Sequence, residues 1–210
     1  MLEQGRSGSW EWAVASRPKA GEDVCGDQWV VAEREDGTLF AAIDGLGHGD
    51  EAAGAARLAA EVLAQRAPEP PDGLLLLCHQ ALAKSRGAAI TLAVADPDGH
   101  CLRWLGVGNV TGFLVRHETP ATLGGGRLAA LVLGGIVGFQ LPVLQVPKPV
   151  DTYPGDVLVL ATDGVRLDLT PGSRLTGPIS RLAGDLLDRH ATPDDDALVL
   201  TARRRGETTG

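Results

Sequence analysis

Four places in the sequence combine an aspartate with the end of an apolar run that is typical of a buried strand. They are Asp27 before "QWVV", Asp44 after "FAAI", Asp163 after "VLVLAT", and Asp194-Asp195-Asp196 before "ALVL". Strand ends from distant parts of a chain can meet at one rim of a sheet, which would bring these carboxylates together. Converging carboxylates repel and raise one another's pKa values, and a pair of divalent cations removes that penalty. Hard oxygen ligands suit Mg²⁺ or Mn²⁺, so the pattern predicts a site for these cations.

A turn is the alternative interpretation at each position, because Asp-Gly is a common turn pair. Asp44 and Asp163 are each followed directly by glycine. Taken singly, either pair is more often a turn than a metal ligand. The joint pattern favours the metal site, because aspartate is a poor strand residue and yet recurs at the ends of several strands.

The elements that must position these aspartates are predicted as strands, then helices, then strands again. Apolar runs on either side of Asp36-Gly37 predict a β-hairpin. Helices are predicted from Asp50 to about Arg66 and from Gly73 onward. "AAITLAVAD", "CLRWLGVG" and "TGFLVRHE" predict an antiparallel meander, and "SWEWAVASRP" an edge strand. A late helix and a final strand in "DDDALVLTARR" complete an α+β layered domain.

The length of the chain indicates the number of domains, and its net charge argues against one type of partner. The 210 residues suit a single domain, 1–210, with a short mobile tail from about residue 204, and we interpret Arg203-Arg204-Arg205 as a solvated run. The net charge of −8 argues against nucleic acid as the partner, because phosphate backbones need clustered lysine and arginine.

Targeting and redox features predict a soluble cytoplasmic protein without a membrane partner. The N-terminus lacks the basic and apolar regions of a signal peptide. The most apolar stretch, from Leu128, is too short and glycine-rich to span a bilayer. Three scattered cysteines without a Cys-x-x-Cys pair indicate a reducing compartment.

The order and the residues of the segments that contain these aspartates resemble the sequence motifs of a known family. "GDQWVV", "AAIDGLGHG", "GDVLVLATDGV" and "DDDALVL" are similar to the metal-site motifs of the metal-dependent PPM (PP2C-type) protein phosphatases, and closest to their bacterial SpoIIE-like branch. "GVGNVTGFL" and "GGIVGFQLP" extend the resemblance to the small stand-alone phosphatases of the bacterial stressosome. The resemblance implies a four-layer αββα sandwich, in which two antiparallel sheets are flanked by helices.

The resemblance also implies a set of ligands for two cations, Mn²⁺ or Mg²⁺. Asp44 would bridge both metals, and the Gly45 carbonyl would bind one of them. Asp163 and Asp194 would hold the other metal. Asp27 would support the second metal, directly or through water.

Two further points of the comparison concern the last aspartates and a histidine. Asp195 fills the position where relatives have Asp or Asn beside the last ligand, and we expect Asp196 to face outward. Eukaryotic members have a histidine, proposed as a general acid, directly after Asp-Gly, whereas Leu46 stands there in this chain. His48 lies two residues on and is a candidate for the same role, with a capping or packing histidine as the alternative.

The activity that the resemblance implies is hydrolysis of phosphoserine or phosphothreonine on a protein by a bridging hydroxide held between two divalent cations. The expected partners are phosphorylated STAS-domain proteins of a stressosome. Three alternatives remain open: a phosphatase-like binding module without turnover, a hydrolase of small phosphoesters, and a SpoIIE-like phosphatase acting on another anti-anti-sigma factor. An open rim would favour protein substrates, and a narrow pocket would favour small ones.

Overall fold

The computed structural model of the chain describes residues 1–65, 69–117, 126–170 and 173–206. Over these ranges, twelve strands and three helices form two sheets packed face to face with helices on both outer sides. The predicted α+β sandwich of four layers is therefore confirmed. None of the helices in the described ranges is long and apolar enough to cross a membrane.

The first sheet, called sheet A, contains six strands in which every neighbouring pair is antiparallel. From one edge to the other these are β1 (Leu2–Ser7), β2 (Trp10–Arg17), β12 (Ala197–Arg204), β11 (Val157–Ala161), β7 (Thr111–Val115) and β8 (Arg127–Ala129).

The second sheet, called sheet B, is antiparallel along its main path. From one edge to the other its strands are β10 (Val150–Asp151), β6 (Cys101–Val107), β5 (Ala88–Ala95), β4 (Gly37–Gly45) and β3 (Asp27–Arg34). A short strand, β9 (Val132–Leu133), pairs with β6 in parallel.

Helices α1 (Gly49–Gln65) and α2 (Pro71–Ala81) cover sheet B, and α3 (Ile179–His190) covers sheet A. Helix α3 buries residues at helical spacing, so one apolar stripe faces the sheet. These are Ile179, Leu182, Ala183, Leu186 and Leu187. The inward face of α1 is mostly alanine, which brings its backbone close to the ends of β3 and β4.

A separate core between the sheets holds the sandwich together. The indole of Trp10 packs edge-on against the ring of Phe40, with centroids 5.6 Å apart, and both side chains are fully buried. Leu158 and Leu198 reach the same core from neighbouring strands of sheet A. Because this core joins the two sheets, the strand ends of both are held at one common rim.

Two features of the strand order differ from the sequence-based expectations. The segment "SWEWAVASRP" is not an edge strand, because Leu2–Ser7 forms the edge and β2 lies between β1 and β12. The predicted three-stranded meander is also wrong, because β7 pairs with β11 in sheet A, whereas β5 and β6 belong to sheet B. The chain crosses between sheets at Gly108, where φ is +107°, a conformation that glycine adopts without strain.

The basic run near the C-terminus is structured as far as Arg204, which corrects its interpretation as a solvated tail. Strand β12 runs through Arg204, whose side chain is buried, and Arg203 lies 3.4 Å from Glu11. The rest of the predicted mobile tail, from residue 207, lies outside the described residues.

Candidate metal centre

The β3–β4 hairpin places two of the predicted aspartates side by side. Asp27 begins β3, Asp44 lies next to the end of β4, and the antiparallel register pairs the two residues directly. Asp27 is only 3 % exposed, and Asp44 is half-buried. The two-residue turn Glu35-Asp36, directly before Gly37, therefore sets the position of both carboxylates at the far end of the hairpin.

Sheet A brings the remaining aspartates to the same rim. Strand β11 ends just before Thr162 and Asp163, and β12 begins just after the triple aspartate. These ends are adjacent, because the Thr162 N–H donates to the Leu198 carbonyl at 3.1 Å. In an antiparallel pair, the end of one strand lies beside the start of its neighbour. Asp163 and the triple aspartate, about thirty positions apart along the chain, therefore lie close together.

A buried hydroxyl joins the two sheets at this rim. Thr162 Oγ1 donates to Asp27 Oδ2 at 2.8 Å and accepts a hydrogen bond from the Leu198 N–H at 2.9 Å. Asp27 belongs to sheet B, and Thr162 and Leu198 belong to sheet A. Thr162 was not identified from the sequence, although it stands directly before Asp163 in "ATDG".

The carboxyl group of Asp44 is surrounded by other acidic side chains. Burial raises its pKa from 3.8 to about 7, and the charges of Asp163, Asp195 and Asp196 add to the shift. Burial likewise raises the pKa of Asp27 well above its ordinary value, with repulsion from Asp44 next, while the Thr162 hydrogen bond opposes the change. Both shifts indicate negative charge that lacks a neutralising partner.

Asp163 is exposed at the outer side of the rim. Burial of part of the carboxyl group raises its pKa, and the nearby Asp195 charge raises it further. The Asn109 amide Nδ2 donates to Asp163 Oδ2 at 2.5 Å, which favours the charged form and partly opposes both effects. Asn109 was also missed in the sequence, where it follows Gly108 in the connection between the sheets.

The three consecutive aspartates have different environments. The prediction that Asp196 faces outward is wrong: its side chain is 4 % exposed. Its two carboxylate oxygens accept hydrogen bonds of 2.9 Å from the backbone N–H groups of Lys19 and Gly26. Asp196 therefore fastens the loop before β3 to the start of β12.

Asp195 rather than Asp194 interacts with the other carboxylates. The Asp195 charge raises the pKa values of both Asp44 and Asp163. Asp194 is exposed, and no hydrogen bond or ion pair between described residues joins it to the rim. That Asp194 binds a cation stays a prediction, and the described contacts favour Asp195 at this end of the rim.

Close backbone approach explains why glycines accompany the aspartates. A Cβ on Gly45 would lie 2.1 Å from the Ala52 carbonyl oxygen of α1, and one on Gly164 would lie 1.9 Å from the Asp196 carbonyl oxygen. Both distances are far below van der Waals contact. That the Gly45 carbonyl binds a cation stays a prediction. The exit into α1 uses Gly47, where φ is +93°, as expected for a tight turn.

His48 does not contact the carboxylates through any interaction among the described residues. Its Nδ1 lies 3.0 Å from Glu22 Oε1, and its side chain is 55 % exposed. This contact fits the alternative of a packing histidine beside the start of α1. A role as general acid stays a prediction that the structure gives no contact to support.

The donor set fits hard divalent cations. The rim residues Asp27, Asp44, Asp163 and Asp195 offer carboxylate oxygens, which are the ligands that hard divalent cations prefer. Burial and mutual repulsion raise the pKa values of Asp27, Asp44 and Asp163. Within the described ranges, no three His, Cys, Asp or Glu side chains are already gathered around one point as a finished metal site. The carboxylates lie along one rim, and their side chains would have to move closer together to bind one cation.

Without cations, the stability of the protein is expected to fall as the pH rises from about 4 to about 7. The folded Asp44 has a pKa of about 7 against 3.8 for the ordinary carboxyl group, so the folded state binds more protons in this range. Protonation then favours the folded state at the acid end, and this contribution is lost as the pH rises through the folded pKa. Urea unfolding in excess chelator at several pH values measures how the free energy of unfolding changes with pH.

Asp44→Asn should make the free energy of unfolding depend less on pH. An unchanged pH dependence in that variant would contradict the assignment of the effect to Asp44.

Comparison with known proteins places this geometry in a family. Residues 34–205, most of the chain, match the family described as Stage II sporulation protein E (SpoIIE). The chain therefore belongs to the SpoIIE family and has a phosphatase fold of the PP2C type, which confirms the resemblance seen in the sequence. No match is found among curated protein sequences.

Solved structures of similar shape include phosphatases of the same fold. A chain described under "The bacterial stressosome: a modular system that has been adapted to control secondary messenger signaling" is 28 % identical, with a TM-score of 0.80, and the match covers 92 % of this chain and 99 % of the other. RsbX in complex with magnesium has a TM-score of 0.82 at 20 % identity, with 97 % and 99 % covered. The PP2C domain of SpoIIE from Bacillus subtilis, with a fragment of its regulatory domain, has a TM-score of 0.69 at 18 % identity, with 98 % and 65 % covered.

Proposed function

We propose that this chain is a cytoplasmic, metal-dependent phosphoserine/phosphothreonine protein phosphatase that acts on phosphorylated STAS-domain proteins of a stressosome. The observation that carries the proposal is the rim where two sheets bring Asp27, Asp44, Asp163 and Asp195 together. A binding module that had lost turnover would be expected to lack one of these acidic side chains.

The same four aspartates would hold two cations, Mn²⁺ or Mg²⁺. Bound there, such cations supply a water of lowered pKa and neutralise the charge of a phosphoryl group, which is the chemistry that phosphate monoester hydrolysis needs. The net charge of −8 would otherwise repel a phosphorylated side chain, and this local reversal of sign makes its approach favourable.

Several residues of the chain would orient the carboxylates without meeting the substrate. Thr162 occupies one oxygen of Asp27 through its hydroxyl, and Asn109 occupies one oxygen of Asp163 through its amide. Each contact leaves the second oxygen of the carboxylate free of that hydrogen bond. Asp196 holds the loop before Asp27 against the start of β12. Such support limits the rearrangement needed when ligands bind.

The substrate class follows from exposure at the rim and from the similar proteins. Asp163, Asn109 and His48 are exposed, so the outer side of the site is open to a protein surface rather than enclosed around a small phosphoester. The likeness to RsbX and to a chain from a stressosome study supports a STAS-domain partner. The match of RsbX with magnesium supports the same class of cation.

The partner is tested with two phosphoproteins at matched concentration. A phosphorylated STAS-domain protein of the same organism should be dephosphorylated faster than an unrelated phosphoprotein, because the proposal requires the surface around the rim to recognise the STAS-domain partner. Phosphate release measures both rates, and excess unphosphorylated STAS protein should slow the first reaction. Equal rates without competition would contradict the stressosome partner and leave the phosphatase activity standing.

A further inference from the structure

A buried arginine, Arg204, lies at the end of the sandwich away from the carboxylate rim. Strand β12 starts just after Asp196 and ends at Arg204. Arg204 lies eight residue steps along the strand from Asp196, which corresponds to about 26 Å at ~3.3 Å per residue. The environment of Arg204 is therefore independent of the candidate metal centre.

Arg204 is a buried arginine without a carboxylate partner among the described residues. Its side chain and backbone together are 5 % exposed, and its Nε has no hydrogen-bond acceptor there. Its only described side-chain hydrogen bond is a long one, 3.5 Å from Nη2 to the Asp98 carbonyl oxygen. Buried charges in proteins are normally paired, because an uncompensated one is costly.

Other arginines of this chain that are largely buried are paired with a carboxylate. Arg34 pairs with Asp36, Arg116 with Asp156, and Arg203 with Glu11, and the side chains of these arginines are 4 %, 15 % and 18 % exposed. Arg204 is at least as buried as Arg116 and Arg203, yet differs from all three in having no described anion within ion-pair distance.

Two more buried donors without acceptors lie beside Arg204. Trp10 pairs with Arg204 in the β2–β12 register, and its Nε1 has no partner among the described residues. Ser9 Oγ is likewise unpaired, and the Ser9 carbonyl accepts a hydrogen bond from the N–H of Arg205. Gly99 lies against both, since a Cβ there would be 2.1 Å from Ser9 Oγ and 3.2 Å from Trp10 Nε1.

Arg204 also lines a cavity of about 440 Å³ that opens to solvent. The lining consists of His100, Asp151, Thr152, Tyr153, Pro154 and Arg204. This volume is within the range of about 300–1,000 Å³ that small-molecule sites occupy. Tyr153 is 54 % exposed, and the Arg116 guanidinium stacks 5.2 Å from its ring centre, which makes a flat wall.

We propose that this cavity is a binding site for a small phosphate-class oxyanion, with Arg204 as its counter-charge. Phosphate oxygens suit a guanidinium, which presents several donors in one plane. Asp151 lines the same cavity and is exposed, so its charge opposes the anion and limits the affinity. The site does not depend on the proposed phosphatase activity.

Phosphate binding is tested on the whole chain in excess chelator, where the carboxylate rim repels anions and no turnover occurs. Inorganic phosphate and AMP are titrated separately at constant ionic strength, by calorimetry and by thermal unfolding. Wild-type protein should bind at least one of them saturably. Tighter binding of AMP indicates a ligand that uses the Tyr153 wall, and equal binding indicates free phosphate.

Two variants change the affinity in opposite directions. Arg204→Met should weaken binding by about tenfold or more, a change of about 1.4 kcal/mol. Asp151→Asn, at an exposed position, should strengthen it about threefold, since one opposing charge is removed. The second variant keeps the test decisive if Arg204→Met fails to fold. Absence of saturable binding in the wild type and in Asp151→Asn would overturn the proposal, as would unchanged affinity in both variants.

Discussion

Asp44→Asn is expected to leave a folded protein with less than about a tenth of the wild-type turnover at saturating Mn²⁺, where a tenfold loss is about 1.4 kcal/mol of activation free energy. Asp44 stands opposite Asp27 and interacts with three other carboxylates, so its charge is central to any cation held at the rim. The amide keeps the shape of the side chain and removes the charge. Phosphate release from a phosphoserine peptide measures the loss.

The stability of the same variant should change in the other direction. Removing one charge from a repulsive cluster is expected to stabilise the cation-free protein, as judged by its unfolding in chelator. Asp188→Asn is the matched control, since it makes the same chemical change at an exposed position of α3. The assignment of Asp44 as a residue essential for turnover fails if Asp44→Asn retains more than about a tenth of the wild-type turnover. It also fails if Asp44→Asn loses no more turnover than Asp188→Asn.

Asp195→Asn is expected to abolish most turnover, by about tenfold or more, while Asp194→Asn changes it by about twofold or less. The reason is that Asp195 lies close enough to perturb Asp44 and Asp163, whereas Asp194 is exposed and outside the described contacts of the rim. The two variants differ by a single position and carry the same substitution, so each controls for the other. A large loss in Asp194→Asn with an active Asp195→Asn would restore the ligand set expected from the sequence.

The sequence predicted the parts of the site that depend on local pattern. The hairpin predicted around Asp36-Gly37 places Asp27 and Asp44 together, because a short turn determines the register of the two strands. The apolar run of β11 followed by Asp163-Gly164 likewise placed Asp163 at the end of a strand. Family resemblance added the four-layer architecture, which hydrophobic periodicity alone does not determine.

The remaining features depend on contacts between distant segments. Strand β7 has the pattern of a third meander strand, and only the positive φ of Gly108 and pairing with β11 take it into the other sheet. Within the triple aspartate, composition cannot show which side chain turns inward, and the choice is made by the backbone N–H groups of Lys19 and Gly26 that bind Asp196. Such tertiary partners leave no periodic signal in the sequence.

Hydrolysis of p-nitrophenyl phosphate in parallel reactions with EDTA, Mg²⁺ and Mn²⁺ is the most direct test of a cation-dependent phosphatase. The arrangement of Asp27, Asp44, Asp163 and Asp195 predicts no hydrolysis above background in EDTA and recovery on adding either cation in excess. Mn²⁺ is expected to give the higher rate, on the strength of the family resemblance. Full activity in excess chelator after prolonged dialysis would contradict the account.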